Sequence, residues 1–107
     1  MSESLIVAQC LEWLALHRIF AWRNNTGAYR TQAGAFVRYG HPGSADIIGL
    51  LPDGRFLAVE CKTATGRQRK AQQVFERMVT RSGGLYVLAR STADLERALA
   101  PLPQFAS

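Results

Sequence analysis

The stretch that most constrains this chain runs from Ser44 to Lys62: Ser-Ala-Asp-Ile-Ile-Gly-Leu-Leu-Pro-Asp-Gly-Arg-Phe-Leu-Ala-Val-Glu-Cys-Lys. Two apolar runs flank Pro52-Asp53-Gly54. That tripeptide makes a turn for physical reasons: Pro fixes φ, Asp bonds its own backbone, and Gly takes the left-handed position. The stretch therefore reads as a β-hairpin. With a three-residue loop, Leu51 pairs with Arg55, and counting outward pairs Asp46 with Glu60. Directly opposed residues put their Cβ atoms roughly 4.5–5.5 Å apart on one face. Lys62, two residues beyond Glu60, shares that face. A two-residue loop would slip the pairing by one and send Asp46 to the other face.

Two carboxylates opposed on a largely apolar hairpin repel each other and resist ionising together. A divalent cation with oxygen ligands is the natural occupant between them. An ammonium nearby suits a site that handles phosphate and activates water. Asp followed by Glu-x-Lys is thus the arrangement of a metal-dependent phosphodiesterase. Glu-x-Lys alone is commonly a solvated ion pair on a strand, and Asp46 could cap a turn; the opposed acid is what sets this hairpin apart. Asp53 sits at the tip, roughly seven residues of ~3.3 Å from Glu60, and belongs to the turn.

At 107 residues the chain is expected to form a single domain, 1–107, with one core. No apolar run is long enough to span a membrane, and no basic leader precedes the first amphipathic segment, so a cytoplasmic location is expected. Two cysteines, Cys10 and Cys61, make no disulfide framework, and with two histidines a structural zinc site is not expected. The net charge of +5 fits an anionic partner such as nucleic acid.

In chain order, Ser2 is a candidate N-cap for a helix over Glu3 to His17. Leu5, Ile6, Cys10, Trp13, Leu14 and Leu16 give that helix a wide apolar surface, which suggests burial on two sides, by a sheet and by a second subunit. Glu3 in its first turn suits the helix dipole. Ile19 to Arg23 reads as a strand, Ala28 to Ala35 as irregular, and Phe36 to Tyr39 as a short strand. A Gly-rich loop holding His41 leads into the hairpin. A second helix is expected over Arg69 to Ser82, with Ala71, Val74, Phe75 and Met78 on its apolar face. Lys70, Arg77 and Arg81 form a stripe beside that face and, with Arg67 and Arg69, a basic edge suited to phosphate. Gln72 in the first turn could reach Lys62 or a bound water. Leu85 to Ala89 is continuously apolar, the pattern of a central strand. Ser91 caps a last helix to Leu99, and Pro101 to Ser107 reads as a loosely held tail. The order implies an α/β fold with a mixed sheet and helices on both faces.

The motifs Gly-Ser-Ala-Asp-Ile-Ile-Gly (43–49), Val-Glu-Cys-Lys (59–62), Gly-Arg (66–67) and Gln-Gln-Val-Phe (72–75) together resemble the VRR-NUC family of the PD-(D/E)xK nuclease superfamily. Trp-Arg-Asn-Asn-Thr-Gly (22–27) and Gly-Gly-Leu-Tyr-Val (83–87) also look like this family. The match covers Glu3 to about Leu95 and is closest to the small standalone members of phages and bacteria. The resemblance implies a restriction-endonuclease-like PD-(D/E)xK core. It implies Mg²⁺ or Mn²⁺ held by Asp46, Glu60, the Cys61 carbonyl and Glu3, and catalytic roles for Asp46, Glu60, Lys62 and Gln72. The family more often has Val where Cys61 stands, with its side chain turned away from the acids. The resemblance also implies a homodimer acting on four-way DNA junctions in a bacterial or phage-infected cell.

The function expected is metal-dependent, structure-selective cleavage of DNA, as in Holliday-junction resolution. Arg23, Arg30, Arg67, Arg69, Lys70, Arg77 and Arg81 would hold backbone phosphates without reading bases. The rival readings are a nuclease for flaps, nicks or plain duplex, a non-catalytic DNA-binding module, and a metal-free protein-interaction domain.

Overall fold

The structure is a computed structural model and describes residues 1–102. The chain folds as an α/β unit with a mixed sheet flanked by helices. Its elements are α1 (Glu3–Leu16), β1 (Phe20–Arg23), β2 (Gly27–Arg30), β3 (Phe36–Tyr39), β4 (Ile47–Leu50), β5 (Phe56–Cys61), α2 (Lys70–Arg81), β6 (Leu85–Ala89) and α3 (Thr92–Leu99). The main sheet has the order β1-β4-β5-β6, and β2 and β3 form a separate two-stranded sheet.

The hairpin register follows the turn chemistry. Leu51 N–H donates to the Arg55 carbonyl at 2.8 Å, and Gly54 N–H to the Leu51 carbonyl at 2.8 Å, closing a three-residue loop. Gly54 has φ +91°, and the Asp53 carboxylate accepts from both Arg55 N–H and Arg55 Nε. Ile47 then lies opposite Val59 and Gly49 opposite Leu57 in an antiparallel ladder. From β5 the chain crosses over through α2 and returns as β6, parallel to β5.

Alternation along β5 sends Leu57, Val59 and Cys61 to one face and Ala58, Glu60 and Lys62 to the other. The first face meets α1 and α3 in the main core, with Ile6, Val7, Cys10, Leu14, Leu95 and Leu99. The second face meets α2 through a thinner apolar layer of Ala45, Ala58 and Val79, edged by Ile48, Phe75 and Tyr86. The thin layer stops short of the first turn of α2, and polar side chains fill that end.

Four expectations are corrected by the fold. β6 lies at the sheet edge; its continuous apolar pattern arises because α2 covers one face and α1 and α3 the other. Ala28 to Ala35 is not irregular throughout, since Gly27–Arg30 pairs with Phe36–Tyr39. Helix α1 ends at Leu16 and buries Ile6, Val7, Cys10 and Leu14, leaving Leu5 and Leu16 exposed. Helix α2 begins at Lys70, with Arg69 as N-cap. The expected tail reaches into residues 103–107, which lie outside the described residues. No helix among the described residues is long and apolar enough to cross a membrane.

Gly43 sets the seat of the site. Its φ is +83°, and a Cβ there would fall 2.5 Å from the Ala71 carbonyl oxygen. Only glycine lets the loop ahead of β4 press so closely on the first turn of α2. Gly43→Ala should therefore cost at least twice as much stability as Gly54→Ala, which adds φ strain of about 1–2 kcal/mol but meets no neighbour. Urea denaturation of the two variants checks this ordering.

Candidate active site

Glu60 is the focus of the polar end of the sheet. It is 1% exposed, and its neighbours Lys62 and Gln72 are 6% and 5% exposed. Buried carboxylates, ammoniums and amides on one sheet face are costly unless they satisfy one another. Gln72 Nε2 donates to Glu60 Oε2 at 2.6 Å. Lys62 Nζ lies 3.6 Å from the same oxygen, within ion-pair range but long for a hydrogen bond. Glu60 Oε1 is buried and has no hydrogen-bond partner among the described residues. A carboxylate with one oxygen doubly served and the other bare is half of a site.

Gln72 is oriented by its other end. Its Oε1 accepts from Arg69 N–H at 2.7 Å, so the amide bridges the N-cap of α2 and the carboxylate. This fixes which side of the amide faces Glu60. Gln72 reaches Glu60 rather than Lys62 or a bound water, the two partners expected for it. The reason is position: Gln72 is the third residue of α2, and reaching back to the N-cap leaves its NH₂ over β5.

Asp46 is turned differently from a simple cross-strand residue. The β4–β5 ladder ends at Ile47 and Val59, and beyond it the Asp46 carboxylate accepts from Cys61 N–H at 2.8 Å. The side chain thus replaces the next rung of the ladder. Asn24 holds the departing backbone. Its N–H donates to the Asp46 carbonyl at 2.7 Å, and its Nδ2 donates to Ser44 Oγ and to the Ala45 carbonyl. In an extended strand a residue's N–H and C=O point to the same side, so the Cys61 carbonyl also faces Asp46. The Cys61 thiol is buried in the opposite core near Ile6 and Cys10, away from both acids, as the sequence implied.

Asp46, Glu60, Gln72, Arg69, Arg23 and Asn24 line one cavity of about 180 Å³, together with Gly43, Ser44, Asn25 and Thr26. Its wall is overwhelmingly polar. Arg23 and Arg69 stand at its rim and are exposed. Arg67, Lys70, Arg77 and Arg81 are exposed along and ahead of α2, and Arg30 lies on β2, away from the cavity. Glu3 is exposed at the start of α1, near enough that its charge adds to the upward push on the Glu60 carboxyl; among the described residues no three of His, Cys, Asp and Glu form a metal-holding group. The body of α1 packs on the far face of the sheet, while Glu60 points toward α2. His41 stands edge-on to Phe75 at 6.0 Å, outside the cavity.

Comparison with models of known protein families, with curated proteins and with solved structures found no match. The chain's own residues therefore carry the functional reading.

Sequence reasoning passed over two residues here. Asn24 lies in the 22–27 motif without a role of its own in the sequence reading, although an Asn after a strand that must hold a neighbouring loop is a reasonable clamp. Arg90 was not singled out. Its guanidinium donates to the carbonyls of Thr63 and Gly66 and so holds the loop that follows Lys62. No pattern in the sequence marks that contact, which depends on β6 running parallel beside β5.

The donor set suits a hard divalent cation: two carboxylates, a backbone carbonyl and room for water. Glu60 lines the polar cavity, and its unpartnered Oε1 leaves a coordination position for such an ion. Burial, with the Asp46 charge beside it, pushes the Glu60 carboxyl from 4.5 up to about 7; Lys62 opposes this only in part. In the metal-free protein an acid raised this way binds its proton more tightly folded than unfolded. The unfolded chain releases that proton first as pH rises, so stability falls between about pH 4.5 and 7. The difference corresponds to about 3 kcal/mol. In EDTA the parent should lose several degrees of Tm between pH 5 and 8 relative to Glu60→Gln. Mn²⁺ added at pH 8 should recover that loss in the parent alone. Parallel melting curves for parent and variant across this range test both points.

Proposed function

We propose that this chain is a divalent-cation-dependent endodeoxyribonuclease of the VRR-NUC, PD-(D/E)xK type, acting on branched DNA as a homodimeric Holliday-junction resolvase. The observation that carries the reading is the buried Glu60 carboxylate, whose Oε1 has no partner among the described residues, lining a polar cavity with Asp46 and with its Oε2 within ion-pair reach of Lys62.

Asp46, Glu60 and the Cys61 carbonyl would hold the cation. When bound, Mg²⁺ or Mn²⁺ would acidify a water and neutralise charge developing on phosphate. Gln72 keeps Glu60 Oε2 occupied, which leaves Oε1 for the ion. The Cys61 N–H keeps the Asp46 carboxylate turned toward the end of the ladder. Lys62 Nζ, beside Glu60, would orient the attacking water and take part in its deprotonation. Water oxygen forms a bond to phosphorus as one P–O ester bond breaks, and the proton lost by water leaves through the site to the departing oxygen. Arg23 and Arg69 at the rim would steady the flanking phosphates, with Arg67, Lys70, Arg77 and Arg81 extending the basic track along α2. The two-fold arrangement would use the exposed apolar side of α1, where Leu5 and Leu16 lie open, to pair two sites for two scissile strands.

The test is cleavage of a panel of labelled four-way junction, flap, nicked and linear DNA in Mg²⁺, Mn²⁺ or EDTA. The parent should cut in either metal, fastest on the junction, and not in EDTA. Asp46→Ala and Lys62→Ala should each lower the rate by at least about 10²-fold while DNA binding in EDTA is kept. Equal cleavage by Lys62→Ala would remove the lysine from the chemistry. Faster cutting of flaps or linear duplex would redirect the substrate. Salt-sensitive binding without turnover would leave a DNA-binding module, and no such binding would leave a protein-interaction domain.

A further inference from the structure

The two-stranded sheet of β2 and β3 is an arm. None of residues 27–39 is buried, and among the described residues both strands pair only with each other. A two-stranded hairpin without a core is marginal in water, so uncovered faces on one point to something that covers them. The two faces differ. Register places Arg30 opposite Phe36 and Ala28 opposite Arg38 on one face, and Tyr29 opposite Val37 with Tyr39 on the other. On the first face both guanidiniums sit over the Phe36 ring, Arg30 at 5.6 Å and Arg38 at 5.3 Å from its centroid. On the second, Tyr29 and Tyr39 lie 6.3 Å apart, 54% and 47% exposed.

Charge identifies the partner. From Asn24 to Ala45 the sequence has no Asp or Glu, while it holds Arg30 and Arg38. A protein partner would be met with charges of both signs; a stretch with cations and aromatic faces alone suits a polyanion with flat rings. Position agrees. Asn25 and Thr26, at the foot of the arm, line the cavity that holds Asp46 and Glu60. Nucleic acid seated at the acids would run past the arm.

We propose that the β2–β3 arm grips DNA at unpaired or unstacked bases next to the cleavage site, with Arg30 and Arg38 on phosphate and Tyr29 and Tyr39 stacked on bases. This rests on the DNA reading above and extends it by naming the feature recognised: bases exposed at a branch or in a single strand. Stacking on tyrosine is indifferent to sequence, because every base offers a ring face. The arm would thus select DNA by structure, which the rim arginines alone do not.

The test is fluorescence anisotropy in EDTA with dye-labelled four-way junction, single strand and linear duplex of equal length, over 50–200 mM salt. Arg30→Ala/Arg38→Ala should weaken all three about tenfold or more and reduce the salt slope by about 1–2. Tyr29→Ala/Tyr39→Ala should weaken junction and single strand by roughly fivefold to a hundredfold and leave duplex within about twofold. Tyr29→Leu/Tyr39→Leu keeps apolar bulk without a ring face and should behave as the alanine pair does, separating stacking from arm folding. Parent-like binding by the arginine pair overturns the grip, and so does a shift in oligomeric state with DNA affinity unchanged. Equal loss on duplex for the tyrosine pairs, or recovery by leucine, overturns the stacking. The readout is independent of turnover: tight arm-dependent binding by a parent that cuts nothing would sink the hydrolytic reading and keep the arm, and cleavage indifferent to the arm would do the reverse.

Discussion

A carboxylate buried with one oxygen unserved is the constraint around which the sheet's polar end is arranged. Glu60 cannot be left there as a free charge, because low dielectric penalises it and Asp46 stands close. Lys62 and Gln72 answer part of the need through a single oxygen. Glu60 lines the cavity, and its other oxygen has no hydrogen-bond partner among the described residues. Such an arrangement costs stability.

The remainder of the fold brings this carboxylate and its partners together. Pro52-Asp53-Gly54 fixes the register that runs β4 back along β5 toward Asp46. The β5–α2–β6 crossover lays the first turn of α2 over Glu60, with the positive helix end on the acid's side. Gly43 allows the loop ahead of β4 to touch that turn, and Asn24 ties β1 to the same loop. Four separated segments thus converge on one cavity. The main core lies on the other face, where α1 and α3 cover Leu57, Val59 and Cys61. The two faces of β5 divide the work: one is apolar and carries stability, the other ends in charge.

Much of this was legible in local chemistry. A turn tripeptide sets register, register sets face, and face placed Glu60 and Lys62 together before any tertiary contact was known. The helix limits of α3, the Ser2 and Ser91 caps and the inward turn of Cys61 follow from equally local rules. The misreadings came where tertiary contacts decide. Continuous apolar residues in β6 report coverage on both faces, which an edge strand also obtains when helices pack on each side. The first strand of the arm lies in a stretch whose sequence reads as irregular because Gly27–Arg30 has no buried face to impose an alternation, while Phe36–Tyr39 is a strand as expected. The Asp46 carboxylate turns to a backbone N–H because the ladder ends beside it. Side-chain choice among several available donors depends on where chains separate, and sequence spacing does not report that.

The account stands on a cation seated against the bare oxygen of Glu60. The most direct measurement is anomalous diffraction from crystals of this protein grown at neutral pH with Mn²⁺. The account predicts a peak within about 2.0–2.4 Å of Glu60 Oε1, of an Asp46 oxygen and of the Cys61 carbonyl oxygen. A cavity without that peak, with Glu60 Oε1 hydrogen-bonded instead to water or to a shifted Lys62, would contradict it.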